Sequence, residues 1–372
     1  MKNYYKSFVT IGLMSGTSLD GIDATIIDTN GISLKRYNIN NTSNYSPKTK
    51  CLITKALSDP KNFHLSKSKM LQLNEFVTRD HAKCVKEILI KTNLSPSLIG
   101  FHGQTIFHDP MHKISIQAGD GQLLSKLLNI NVVSSFREHD LKHKGEGAPI
   151  APIFHKFLID DLNISLPTCF LNIGGVSNIT FWDGKILIGF DTGPGNALID
   201  LFMKKKFNKP YDNFGKRALK GKPSDFFINL FLKDPFFGLN YPKSLDNQHF
   251  KKIFYSIYNS NLSNVDCIST LSELTSISIV KAINQLPKKP ENLIISGGGV
   301  NNAFILKSLQ HHLTCRLIKA SEKNLPSKMI EAELIAFLAA RRMNKLPITF
   351  PNTTGVSRPL LGGSIFKNGL LN

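Results

Sequence analysis

Two distant stretches of this chain share one pattern, and that repetition constrains the fold more than any other feature. Phe8–Met14 is a β-rich run, Ser15-Gly16-Thr17-Ser18-Leu19-Asp20-Gly21 a polar turn carrying glycines, and Ile22–Ile27 a second run in which Asp23 and Thr25 alternate with apolar neighbours. Thr168–Ile173, Gly174-Gly175-Val176-Ser177-Asn178 and Ile179–Trp182 repeat the arrangement, and Asp183-Gly184 turns into a third run, Ile186–Phe190. Alternating runs bounded by glycine turns read as β-hairpins. A duplicated hairpin predicts two related α/β halves facing each other across a ligand cleft. The expected organisation is an N-terminal domain over 1–135 and a C-terminal domain over 136–354, split at the polar, glycine-rich segment around Phe136–Pro149, with the irregular tail 355–372 packing back on the first domain.

Composition narrows the partners. The 372 residues suffice for two cores, and 46 Lys plus Arg against 27 Asp plus Glu leave a net charge of +19. Such a charge favours acidic partners, whether nucleic acid, anionic lipid or phosphorylated small molecules. The longest basic run is only Lys204-Lys205-Lys206, and the other lysines scatter through polar segments, so no nucleic-acid platform is expected. Cys51, Cys84, Cys169, Cys267 and Cys315 stand far apart with no C-x-x-C pair, which suits a reducing cytoplasm. Thr10 and Gly12 interrupt the opening apolar run, which argues against a secretory signal, and no run approaches the length of a membrane helix. Small-molecule substrates are expected, with neither nucleic acid nor membrane as partner; a homodimer is left open.

Between the hairpins, Met70–Lys91 has helical spacing and Leu98–Phe101 reads as a buried strand ending in His102-Gly103-Gln104-Thr105. Late in the chain, Leu293-Ile294-Ile295 is a strand ended by Ser296-Gly297-Gly298-Gly299, after which Asn301 or Asn302 can cap a helix. Met329–Arg342 is a strong helix whose apolar side is Ile330, Leu334, Phe337 and Leu338, leaving Glu331 and Glu333 on other faces.

The candidate chemistry follows from these turns. The first glycine turn offers hydroxyls and successive N–H groups suited to phosphate oxygens, or is only a turn; it is neither a Walker loop nor a Rossmann fingerprint. Asp191-Thr192-Gly193-Pro194-Gly195-Asn196 follows a strand, where a carboxylate stands exposed for reaction, or caps the helix from Asn196. The glycines 297–299 let a flat base approach backbone, or form a helix entry. Six histidines between His102 and His155 raise a metal site, but Asp109-Pro110 breaks the His108/His112 pair and no third ligand has a recognisable spacing.

Together these parts resemble the actin, sugar kinase and Hsp70 superfold, an actin-like (ribonuclease H-like) α/β architecture with an interdomain cleft. More narrowly, the chain is similar to the anhydro-N-acetylmuramic acid kinases. The resemblance is carried by Ile11–Asp23, Gly100–Thr105, Gln117–Gly121, Phe136-Arg137 with Asp140, Gly145–Pro149, Asn172–Asn178, Phe190–Asn196 and Ser296–Asn301, which span most of the chain. It implies an ATP- and Mg2+-dependent enzyme of peptidoglycan recycling that opens 1,6-anhydro-N-acetylmuramic acid with water and phosphorylates O6. It further implies Asp191 as catalytic base; Gly16, Thr17, Ser18, Leu19, Asp20, Gly21, Ile22 and Asp23 at the ATP phosphates; Gly174, Gly175, Gly193, Gly195, Asn196, Gly297, Gly298 and Gly299 elsewhere around ATP; and His102, Gln104, Arg137 and Glu331 at the sugar. Many sugar kinases carry an Asp just before the first turn, where this chain has Leu13-Met14-Ser15, so the resemblance assigns no metal ligand. The alternatives are a conventional kinase of a free amino sugar and a non-catalytic actin-like nucleotide-binding protein.

Overall fold

A computed structural model describes residues 5–16, 19, 21–110, 112–246, 249–326 and 328–368. The strands are β1 Phe8–Ser15, β2 Ile22–Thr29, β3 Leu34–Ser43, β4 Leu98–Asp109, β5 Ile114–Ala118, β6 Asn131–Ser134, β7 Thr168–Ile173, β8 Val176–Trp182, β9 Leu187–Pro194, β10 Asn292–Ser296, β11 Arg316–Lys319 and β12 Ser364–Phe366. They form two sheets. One has the order β12-β6-β4-β1-β2-β3, with β5 paired to β4, and the other the order β11-β10-β7-β8-β9.

The duplication predicted from the hairpins is visible in the pairing. β1, β2 and β3 form an antiparallel meander, and β4 then β6 add in parallel beside β1. β7, β8 and β9 form the same meander, and β10 then β11 add in parallel beside β7. The two sheets thus share one strand order, that of the ribonuclease H-like half expected. Strands flanked by helices are buried on both faces and read as near-continuous apolar runs. Leu293-Ile294-Ile295 on β10 is fully buried for this reason.

The chain separates into a unit of residues 1–157 with 328–372 and a unit of residues 158–327. These boundaries differ from the expected 135/136 and 354/355, and two contacts explain the difference. The glycine-rich segment is held inside the first unit by Asp140, whose Oδ1 accepts the Gly147 N–H at 2.7 Å and whose Oδ2 accepts the Thr354 hydroxyl at 2.6 Å. The late helix Ile330–Met343 packs on β1, β2 and β4. The tail also returns to this sheet, through the antiparallel pairing of β12 with β6.

That helix is buried nearly all round, from Ala332 to Arg341. One side lies on the sheet at Gly12 and Gly100, neighbours in the β1/β4 register. A Cβ at Gly12 would stand 1.8 Å from the Ala332 carbonyl oxygen, and one at Gly100 would stand 2.3 Å from that of Ile335. Phe337 meets Phe154 and Phe157 at ring distances of 5.2 and 5.1 Å. Glu333, expected on a polar face, is therefore buried; Arg36 compensates it with two hydrogen bonds of 2.7 and 2.8 Å. Gly12→Val is expected to lower the unfolding free energy by about 3 kcal/mol or more, since backbone rather than a flexible side chain blocks the new atoms. Urea denaturation monitored by circular dichroism would measure it.

The second unit has its own apolar core, in which the helices Ala197–Phe207 and Asn264–Asn284 contribute Phe202, Leu271, Leu274 and Ile279. Lys206 sits over the ring of Tyr258 at 4.3 Å and Lys205 over Tyr255 at 5.9 Å, so the short basic run packs beside aromatic rings. Among the described residues no helix is long and apolar enough to cross a membrane.

Candidate active site

In the first unit the residues of interest gather where the parallel strands β1, β4 and β6 end, the edge at which open α/β sheets bind ligands. β1 ends at Ser15, and Gly16 begins the turn. Gln104, fully buried on β4, donates its amide to the Gly16 carbonyl at 3.3 Å and accepts the Tyr45 hydroxyl at 3.1 Å. The Ser15 hydroxyl donates to the Gly103 carbonyl at 3.3 Å. Leu19, with φ of +59°, closes the turn back onto Gly16 through its N–H at 3.3 Å. Thr17, Ser18 and Asp20 lie outside the described residues. Gly21, at φ of +146°, leads into β2 beside the Ser43 carbonyl. Ile22 sends its side chain into the core, and Asp23 accepts the Thr42 hydroxyl at 2.6 Å.

His102 and Arg137 form a second group at the same edge. Arg137 donates from Nε to His102 Nε2 at 3.2 Å and from Nη1 to the Gly147 carbonyl at 2.9 Å. A guanidinium only donates, so His102 Nε2 must accept, and its Nδ1 carries the proton donated to Gly103 O at 3.0 Å. Burial, reinforced by the Arg137 charge, pulls the His102 pKa down to about 3, which keeps this neutral tautomer. Asp140 fixes Gly147, Gly147 fixes Arg137, and Arg137 fixes His102. A cavity of about 180 Å³ opens here, lined by His102, Gln117, Gly119, Ser135 and Glu138 among others. His102 and Gln104, expected at the sugar, thus spend polar atoms on supporting Arg137 and the Gly16 turn. Glu331 is exposed on the first turn of the helix Ile330–Met343.

In the second unit three glycine segments converge. The turn after β7 is laced to the segment after β9: Gly195 N–H donates to Gly175 O at 2.9 Å, Asn196 N–H to Gly174 O at 2.7 Å, and Ala197 N–H to Gly175 O at 3.2 Å. A Cβ on Gly195 would stand 2.2 Å from the Gly174 oxygen, so a side chain there would force the two apart. The Asn196 amide donates to Ile173 O and Gly174 O at 3.1 and 3.2 Å. It also neighbours the third segment, since a Cβ on Gly298 or Gly299 would lie 3.7 or 3.3 Å from its amide atoms. Gly297 turns out of β10 at φ of +81°, where its Cβ would strike Asn172. Asn302, one of the two expected caps, does cap the following helix, accepting the N–H groups of Phe304 and Ile305. The result is a surface of bare backbone at one sheet edge.

Asp191 lies on β9 itself, opposite Asn178, and is only 8% exposed. The expected strand end at Phe190 is corrected, because β9 continues to Pro194. Nor does Asp191 cap the next helix: Asn196 occupies that position. Its main-chain N–H donates to Lys243 O at 2.9 Å, and its Oδ2 accepts the Leu245 N–H at 2.8 Å. Gly193, two residues on, meets Ser278 so closely that a Cβ would lie 2.4 Å from its hydroxyl, and Thr275 donates to Gly195 O at 2.8 Å. Sequence reasoning missed Tyr45, Lys243, Leu245 and Thr275, none of which carries a spacing signal. Among the described residues no three His, Cys, Asp or Glu side chains converge as a metal site, and His112 of the histidine-rich stretch pairs instead with Asp109 at 2.8 Å.

Comparison with known proteins shows the family of the chain. The chain is 39% identical over 370 residues to anhydro-N-acetylmuramic acid kinase of Methylobacterium nodulans, covering 95% of this chain and 98% of the relative. It is 38% identical over 391 residues to the enzyme of the same name from Pelagibacter ubique, covering 98% and 99%. Among solved structures it is similar to component A of (R)-2-hydroxyglutaryl-CoA dehydratase from Acidaminococcus fermentans, with a TM-score of 0.46, 10% identity and coverage of 90% and 98%. Residues 8–368 match the family model described as anhydro-N-acetylmuramic acid kinase, and with relatives this similar over their whole length the chain belongs to that family.

Proposed function

We propose that this protein is a cytoplasmic ATP-dependent kinase that opens 1,6-anhydro-N-acetylmuramic acid with water and phosphorylates O6, giving N-acetylmuramic acid 6-phosphate and ADP in peptidoglycan recycling. The observation that carries the reading is Asp191, buried on β9 with Oδ2 oriented by the Leu245 N–H, on the strand whose end is laced through Gly195 and Asn196 to the bare backbone of Gly174 and Gly175. In the anhydro sugar O6 is bonded to C1 and has no proton for an ordinary kinase base to remove. The carboxylate of Asp191 therefore takes a proton from water as that water attacks C1; the C1–O6 bond breaks, and O6 accepts the γ-phosphoryl group.

The remaining roles follow from position. The turn from Gly16 to Asp23 is assigned to the ATP phosphates, and the glycines 297–299 to adenosine, where absent side chains let a flat ring approach. Arg137, held by Gly147 and His102, is assigned to an anionic group of the sugar, since a guanidinium binds carboxylate in a planar, two-bond geometry. Glu331 is assigned to the sugar with it. Magnesium, when bound with ATP, would neutralise charge on the nucleotide phosphates; no residue of this chain is assigned to it.

The test is mass spectrometry of the sugar product after incubation with magnesium-ATP in oxygen-18 water. Gain of one phosphate and one heavy oxygen is expected. A phosphorylated product without the heavy oxygen, or no product from folded protein, overturns the reading.

A further inference from the structure

Lys243 is an unusual residue in this second unit. It is 5% exposed, and among the described residues no carboxylate pairs with it. Its three ammonium hydrogens are matched instead by three neutral acceptors: Phe236 O at 3.2 Å, Leu239 O at 3.0 Å and Gln285 Oε1 at 3.0 Å. The same cation lies 4.6 Å from the centre of the Phe236 ring and 5.7 Å from that of Phe190. Burial, with Lys281 nearby, draws its pKa down to about 8. A buried charge with no counter-ion costs free energy, so this position asks for an explanation.

The main chain around Lys243 supplies one. Its carbonyl accepts the Asp191 N–H, and two residues later the Leu245 N–H reaches the Asp191 carboxylate. Tyr241, at the start of the segment, stacks on Phe190 at 5.5 Å. The segment 241–245 therefore grips β9 at Phe190 and Asp191. The ammonium holds the segment by tying it to the turn Pro235–Gly238, to Leu239 and to Gln285 at the end of the helix Asn264–Asn284, while Leu245 packs in the core. That helix in turn holds Gly195 through Thr275.

We infer that Lys243 is a positioning residue for Asp191: its buried ammonium clamps the strap whose backbone sets the angle of the reactive carboxylate. The inference rests on the reading of Asp191 proposed above. A neutral side chain of similar length fills the same space but releases three hydrogen bonds, and the strap then no longer presents Leu245 N–H to Oδ2 at one fixed angle. Substrates still bind. The chemical step slows, because misplacing a reactive group by about 1 Å can cost on the order of 100-fold.

The experiment is steady-state kinetics of the full chain with magnesium-ATP and 1,6-anhydro-N-acetylmuramic acid, comparing Lys243→Met, Gln285→Ala and Asp191→Asn, each checked for folding. For Lys243→Met, kcat is expected to fall roughly 10- to 100-fold with both KM values within about twofold of the parent's. Gln285→Ala, which removes one of three acceptors and keeps the cation, should lose about 3- to 10-fold in kcat, and it carries the test if Lys243→Met does not fold. A folded Lys243→Met with parental kcat, or with KM raised and kcat unchanged, overturns the inference; parental kcat in Gln285→Ala does so if that variant stands alone. Full loss in Asp191→Asn with no effect at Lys243 overturns this inference alone. Full activity in Asp191→Asn overturns the reading of Asp191 and this inference with it.

Discussion

Asp191→Asn should reduce kcat by about 10²- to 10⁴-fold while the protein unfolds at nearly the parental temperature. The separation of the two effects follows from the contacts. Asparagine has the shape of aspartate, its amide oxygen still accepts the Leu245 N–H, and its main chain still donates to Lys243 O. What it cannot do is take a proton from water. KM for ATP should change little, since the glycine segments that form the bare-backbone surface are untouched. Asp191→Ala is expected to lose activity equally but also about 1 to 3 kcal/mol of stability, because it strands the Leu245 N–H. A kcat for Asp191→Asn within about threefold of the parent would remove the carboxylate from the chemistry. Calorimetry and initial rates on the same preparations distinguish these outcomes.

The same contacts show why parts of this molecule were legible in the sequence. The hairpins β1–β2 and β7–β8 announced themselves because local alternation and glycine turns determine them, whatever the rest of the chain does. The Asn302 cap was legible for the same reason, since an Asn before an apolar helix satisfies N–H groups two and three residues on. The unit boundary was not local. Phe136–Pro149 has the composition of a linker, yet Asp140 binds it to Gly147 and to Thr354, a residue distant in the chain. Glu333 was misplaced because periodicity reports one buried helix face, and this helix has two: the expected side, where Phe337 meets Phe154 and Phe157, and a second that lies on the sheet at Gly12 and Gly100. Lys243 was invisible because a lysine after Tyr-Pro is ordinarily solvated; only the fold supplies three carbonyl-type acceptors. In the site, the motif glycines and Asp191 were found as parts, while the hydrogen bonds that orient them come from residues with no motif.

Acid should destabilise this protein well before its carboxylates titrate, and the cause lies in the first unit. His81, His102 and His155 are buried there, at 0%, 4% and 3% exposure. Burial lowers the pKa of His81 to about 4 and those of His102 and His155 to about 3, with the Arg137 charge adding to the effect on His102. The unfolded chain binds protons on these histidines below about pH 6.5, whereas the folded chain does not until pH 4 or 3. Stability therefore falls as pH drops through that window, by about 1.4 kcal/mol per pH unit for each histidine. At pH 5 the three together cost about 6 kcal/mol, comparable to the whole stability of many domains. His81 offers a clean control. Its Nδ1 bonds only to its own helix, at Val77 O, its Nε2 has no hydrogen-bond partner among the described residues, and its ring packs edge-on against Tyr45 and Phe101. His81→Leu should therefore keep the fold and remove one histidine's share of the slope. Urea midpoints measured between pH 7.5 and 5 would show it; a parental slope in His81→Leu, or a flat profile in the parent, would contradict the assignment of neutral buried imidazoles.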